Sequence, residues 1–224
     1  MPKLVDASYE ILTKLNGNDI LKHIEKIART CYRSEDKITP DGESAKKIVG
    51  ALIKAGHEAM IEHFNVSVRF ICDVGFYKDL TRHRVASFAI ESTRYCNYSK
   101  GKFGQELTFI KPVNIKEGSE EYKIWYDCMV QIERAYMEMA CLKNADGTLK
   151  CRPDQMRMLL PHSTKAEVNI TANLREWRHI FKLRCSDAAH PSIWSLMRPL
   201  LVEFKQKIPV IFDDIEYNNN GGEK

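Results

Sequence analysis

The chain has 224 residues, 44% hydrophobic and 29% charged, an ordinary globular composition with enough length for a core in one domain. Its formal charge of +4 suits anionic small molecules and weak nucleic-acid contact alike, while no apolar run approaches the ~20 residues that span a bilayer. Seven cysteines, an odd number without a C-x-x-C pair, argue against structural zinc or a disulfide framework; together with the opening MPKLVDASYE, which holds no apolar signal core, they predict a cytoplasmic protein.

Asn18 is a candidate cap for a helix over 19–31, with Ile20, Ile24, Ile27 and Cys31 on one face. A second helix reads from Gly42 to Gly56, burying Ala45, Ile48, Val49 and Leu52. Residues 64–72 alternate Val66, Val68, Phe70 and Cys72 inward, which predicts a strand, and a short helix follows around 76–83. A further strand is expected at 106–111. A long helix over 118–142 carries Tyr122, Trp125, Met129, Ile132 and Tyr136. Residues 152–160 read as a short helix stopped by Pro161, and 166–172 alternate again as a strand. Asn173 opens a helix to Arg184, with Glu176 spaced as in a capping box, and Pro191 opens the last one. Helices and strands mix without a βαβ rhythm, so the fold class is α+β. No linker divides the chain; one domain is expected over 1–217, followed by the polar tail NNNGGEK at 218–224.

The stretch TRHRVASFAIESTRY, 81–95, gathers cationic and hydroxyl donors. Neighbouring helical residues face different ways, so Arg82, His83 and Arg84 cannot all meet one phosphate from a regular helix. At a helix end they can diverge around a ligand with several charged parts. Ser92, Thr93 and Arg94 add hydroxyls and a guanidinium fork suited to phosphate. A solvated basic turn and a nucleic-acid contact are the competing readings. The aromatics, at helical core spacing, argue against a base-stacking platform.

GHEAMIEH, 56–63, spaces its histidines six apart rather than four, which rejects a metalloprotease-type metal site. It leaves surface histidines after a helix end or a histidine at the rim of a cofactor pocket. Arg157 stands alone among apolar residues, and Arg184 closes its helix. There is no G-x-G-x-x-G, P-loop or G-x-S-x-G, and Ser92 has no adjacent base.

Arg82-His83-Arg84, then residues 85–91, then Ser92, resembles the signature of the flavin-dependent thymidylate synthases. Arg94-Tyr95, Gly56-His57-Glu58, Glu62-His63, Arg157 before Leu160-Pro161, and Asn173-Leu174-Arg175 through Leu183-Arg184 extend the likeness over most of 28–198. The resemblance implies a central, mostly antiparallel sheet flanked by helices and a homotetramer with shared active sites. It also implies FAD as cofactor, NADPH and 5,10-methylenetetrahydrofolate as co-substrates, and reductive methylation of deoxyuridylate (dUMP) to thymidylate. No metal, nucleic-acid or membrane partner belongs to this reading.

By resemblance, His57, Arg82, His83, Arg84, Glu91, Asn173, Arg175 and His179 contact FAD. Asp79, Arg82, Glu91, Ser92, Thr93, Arg94, Arg157 and Arg184 hold deoxyuridylate. Arg184 is the implied catalytic residue, acting through its field on the uracil imide, because a guanidinium is too weak an acid to serve as a base. The chain departs from the family at Ala59, where many members carry a hydroxyl, at Asp79, where a glutamine is common, and at Glu91, which is shifted by one position.

Overall fold

The computed structural model describes residues 1–101 and 104–217, so the 218–224 tail lies outside the described residues. The strands are β1 (Lys3–Val5), β2 (Ser8–Ile11), β3 (Asn65–Asp73), β4 (Ala86–Ile90), β5 (Thr108–Ile110) and β6 (Lys165–Asn173). The helices are α1 (Gly17–Thr30), α2 (Glu43–Lys54), α3 (Val74–Leu80), α4 (Glu120–Cys141), α5 (Pro153–Met156), α6 (Leu174–Arg184) and α7 (Pro191–Lys207). One sheet runs β2-β3-β6-β4, and β1 pairs with β5 in a separate two-stranded sheet.

The alternating strands form as their side chains require. Val66, Val68, Phe70 and Cys72 of β3 are buried, as are Ala166, Val168, Ile170 and Ala172 of β6. The Ser67 and Thr171 hydroxyls lie 2.7 Å apart, and Leu174 N donates to Phe64 O at 3.0 Å. Val74 N donates to His162 O at 2.9 Å, so β6 runs backwards as β3 advances. The mixed architecture with an antiparallel sheet is thus present, but the small β1-β5 sheet is parallel, with Leu4 opposite Phe109.

β3 and β6 also end alike. Asp73 accepts from Phe76 N at 2.7 Å, and Asn173 accepts from Glu176 N at 2.8 Å. Each strand therefore passes straight into a helix through a side-chain cap.

Several boundaries correct the sequence reading. The cap of α1 is Asn16, whose Oδ1 accepts from Asp19 N at 3.4 Å; Asn18 instead lies inside the first turn. Gly17 stands so close to Lys207 that a Cβ there would meet its carbonyl oxygen at 2.5 Å. α3 ends at Leu80, leaving Arg82 and His83 beyond it, and residues 86–90, inside the donor-rich stretch, form β4. The predicted end of α2 holds: Gly56 takes φ +71°, and Gly56 N and His57 N donate to Ile53 O and Leu52 O, a Schellman closure.

Within the span read as one domain, the described chain packs as two compact units woven from separate stretches. The first comprises Met1–Ser8, Phe70–Thr81 and Ala89–Val168; the second comprises Tyr9–Arg69, Arg82–Phe88 and the chain from Asn169 onward. The first is built on Tyr98, Leu107, Phe109, Met129, Tyr136 and Met156. The second is built on Trp177, Phe181, Phe204 and Phe212, whose rings contact one another at centroid distances of 5.1–5.7 Å. No helix among the described residues is long and apolar enough to cross a membrane.

Candidate functional site

In the second unit, α6 sets its apolar face, Leu174, Trp177, Ile180 and Phe181, into the core, and Trp177 Nε1 donates to Val66 O at 3.0 Å. That anchoring fixes the direction of its polar residues. Arg184, half-buried at the helix end, donates from Nε to His83 Nε2 at 3.0 Å. His83 is only 4% exposed, and its Nδ1 lies 3.3 Å from Glu176 Oε1. A guanidinium can only donate, so Nε2 must accept and Nδ1 must carry the proton toward the carboxylate. Arg184, His83 and Glu176 therefore form one directional relay.

Glu176 has a role that its sequence position did not announce. Its backbone N–H serves the Asn173 cap while its carboxylate faces His83, so the half of the expected capping box that forms is the one made by the Asn173 side chain. Burial pushes the Glu176 pKa up, against a smaller opposing pull from His179. The His179 ring meets that of His83 edge-on at 5.5 Å. His83, Glu176 and His179 each bring one potential metal-ligand atom within 4.8 Å of the others. Both His83 nitrogens already face partners, and the Arg184 guanidinium beside them opposes a cation.

In the same unit, Arg82, Arg84, Arg175, His179 and His57 are exposed, while Asn173 is half-buried with its Oδ1 committed to the cap. Arg175 Nη1 donates to Glu62 Oε1 at 2.6 Å. The exposed guanidinium and imidazole groups fit a dinucleotide with a charged pyrophosphate, which is the chemistry FAD presents.

Arg178, next to His179, escaped the sequence reading. It is 1% exposed, forks onto Asp214 at 2.6 and 2.7 Å, and reaches Glu58 at 2.9 Å and the Ile211 carbonyl. Burial works against its charge, yet Asp214 and Glu58 outweigh it and the pKa stays raised. Among alternating Arg and Lys along LREWRHIFKLR, no local signal separates this buried arginine from an exposed one.

The first unit carries the other expected residues. Ser92 and Thr93 are half-buried, Asp79 is half-buried on α3, and Arg94 and Arg157 are exposed. Arg94 lies over the Tyr95 ring at 5.4 Å. Glu91 turns inward: Lys165 Nζ donates to Oε2 at 2.7 Å, and the Tyr98 hydroxyl donates to Oε1 at 2.9 Å. Burial, then Glu91, push the Tyr98 phenol up, which keeps it a donor. Tyr98 and Lys165 were not foreseen as site residues.

The family model described as thymidylate synthase complementing protein matches residues 12–210. The flavin-dependent thymidylate synthase of Pyrococcus abyssi is 30% identical over 176 residues, covering 78% of this chain and 67% of that one. The enzyme of the same name from Corynebacterium diphtheriae is 26% identical over 205 residues, covering 86% and 78%. Among solved structures, a UMP/dUMP methylase, PolB, from Streptomyces cacaoi, bound with 5-Br dUMP, shares the fold with a TM-score of 0.67 at 21% identity, covering 94% of this chain and 95% of that one.

Proposed function

This chain belongs to the thymidylate synthase complementing protein family, and from that premise we propose that it is a flavin-dependent thymidylate synthase. It methylates deoxyuridylate to thymidylate, with 5,10-methylenetetrahydrofolate as the carbon donor and NADPH as the source of reducing equivalents. FAD, when bound, supplies the hydride. The enzyme works in the cytoplasm as a homotetramer with active sites shared between chains.

The observation that carries this reading is the Arg184–His83 contact, because it ties the signature histidine to the arginine expected to activate the substrate. Arg184 presents a permanent positive charge in a fixed direction. Beside the uracil imide it stabilises negative charge there and drives electron density toward the ring carbon that must attack. His83 and Glu176 hold it in place.

Arg82, Arg84, Arg175, His57 and His179 bind FAD from exposed positions, with His83, Glu91 and Asn173 completing its contacts. Ser92, Thr93, Arg94 and Arg157 bind the nucleotide, joined by Asp79, Arg82, Glu91 and Arg184. Ser92 acts by hydrogen bonding, in keeping with the absence of a base next to it in sequence. Asp79, where a glutamine is common, offers acceptors alone when ionised, so it pairs with a donor on the ligand.

The test is the visible spectrum of the purified protein with FAD added, before and after NADPH under anaerobic conditions, with and without deoxyuridylate. The reading requires a bound-flavin spectrum that bleaches with NADPH and shifts with the nucleotide. A protein that binds no flavin would return the Arg82–Arg84 segment to a nucleic-acid role.

A further inference from the structure

Helix α6 ends at Arg184, and the main chain on both sides of that residue is held by side chains. The Ser186 hydroxyl donates to the Leu183 carbonyl at 3.1 Å, and Arg198 Nε, from α7, donates to the Cys185 carbonyl at 2.9 Å. Carbonyls at a helix end have no donor within the helix and need one from elsewhere. Cys185 takes part through its main chain alone: it is 1% exposed, and burial pushes its thiol up to about 12, so it stays protonated. Arg198 is itself fixed. It is 7% exposed, its Nη2 donates to Asp187 Oδ1, and its guanidinium carbon lies over the Trp194 ring at 4.5 Å and the Tyr217 ring at 5.1 Å. Burying a guanidinium costs desolvation that an apolar side chain of the same volume avoids. An apolar side chain has no donor for the Cys185 carbonyl.

We propose that Arg198 is a positioning residue for the methylation step: by holding the main chain just after Arg184, it fixes the direction in which the Arg184 guanidinium points. The inference rests on the proposed function, which makes Arg184 the activating group. His83 holds the tip of the Arg184 side chain, and Arg198 holds the backbone at its root. Asp187 balances the Arg198 charge, so Arg198 acts through geometry rather than through its own field. A guanidinium pinned at both ends is already aimed when charge develops on the substrate. Released at the root, it swings about its contact with His83, and that preorganisation is lost.

The experiment is steady-state kinetics of the FAD-loaded protein, with flavin titrations and thermal melts, for wild type, Arg198→Lys, Arg184→Ala and the double variant. Lysine keeps the charge and loses both Nε–H and the planar fork that serves Cys185 and Asp187 together. Arg198→Lys is expected to lower kcat for thymidylate formation about ten- to a hundredfold, the scale of a misplaced catalytic group, with FAD affinity and KM for deoxyuridylate unchanged. The double variant decides the role. A residue that acts through Arg184 has nothing left to act on in the Arg184→Ala background, so Arg198→Lys causes no further loss there. The inference is overturned, while the enzymatic reading stands, if Arg198→Lys keeps wild-type kcat, or if it lowers the rate by the same factor in both backgrounds, as a merely structural residue would. If Arg198→Lys does not fold, Asp187→Ala, which removes the exposed partner of the same fork, carries the same cycle with a smaller effect. A wild type that binds FAD but forms no thymidylate overturns both readings.

Discussion

Arg184 Nε and His83 Nε2, from segments a hundred residues apart in the chain, are joined at 3.0 Å, and the imidazole passes that constraint on to Glu176. The bond uses Nε–H, a donor that lysine lacks, so charge alone cannot restore it. Arg184→Lys and Arg184→Ala are both expected to keep the flavin spectrum and to lose thymidylate formation by about 10²–10³-fold, the scale of losing one preorganised electrostatic donor. Flavin stoichiometry by absorbance and product formation by chromatography check this. Full activity in the lysine variant would remove the directional role given to Nε.

Glu176 makes a prediction about pH. Its folded pKa is raised above the ordinary 4.5, by burial first. The folded state thus binds more protons than the unfolded state between the two values. Ionised Glu176 costs stability above its folded pKa, and the cost is absent below 4.5. Glu176→Gln keeps an acceptor for His83 without that charge. Its melting temperature should exceed wild type near pH 7–8, and the difference should close as pH falls through the carboxylate range. Melts across a pH series read this directly; a difference that widens in acid has the wrong sign.

Arg178 predicts the opposite trend. Its hydrogen bonds hold the Asp214 carboxyl below its ordinary value, so the stability from that pair is present above the ordinary carboxylate pKa and lost as pH falls through the lowered one. Arg178→Met strands Glu58 and Asp214 and is expected to cost about 3 kcal/mol, at the lower end for a broken buried pair because Asp214 is partly exposed. Arg178→Lys recovers only part, lacking the fork. Urea denaturation at neutral and acid pH measures both, and the neutral-pH loss should shrink in acid.

Gly17 predicts a packing penalty. A Cβ would sit 2.5 Å from the Lys207 carbonyl oxygen and 2.8 Å from Pro209 Cδ, where backbone must move. Gly17→Ala should lower stability by about 1–3 kcal/mol despite alanine's better helix propensity. A thermal melt showing stabilisation would mean that the start of α1 and the end of α7 separate easily.

What the sequence made legible follows from how local each signal was. The alternation of Val66, Val68, Phe70 and Cys72, and the long face of α4, could be read because burial repeats at a fixed period. Strand β4, Ala86–Ile90, could not: it lies in a stretch dominated by donors and shows only half-burial. The signature residues were visible as a pattern, but Glu176 as the partner of His83, Lys165 as the partner of Glu91, and buried Arg178 depend on contacts between distant segments. Asn18 misled because either asparagine of the NGN turn satisfies the capping preference; in the structure Asn16 takes the cap and Gly17, between them, lies against Lys207.

The matching junctions at Asp73 and Asn173 carry a consequence for solvent exchange. The first amides of an isolated helix have no backbone acceptor and trade protons with water freely. Here Val74 N–H is held by His162 O and Leu174 N–H by Phe64 O, while the side-chain caps hold Phe76 N–H and Glu176 N–H. In deuterium these four protons should outlast their neighbours on the exposed loops, disappearing only when the strand ahead of each helix opens.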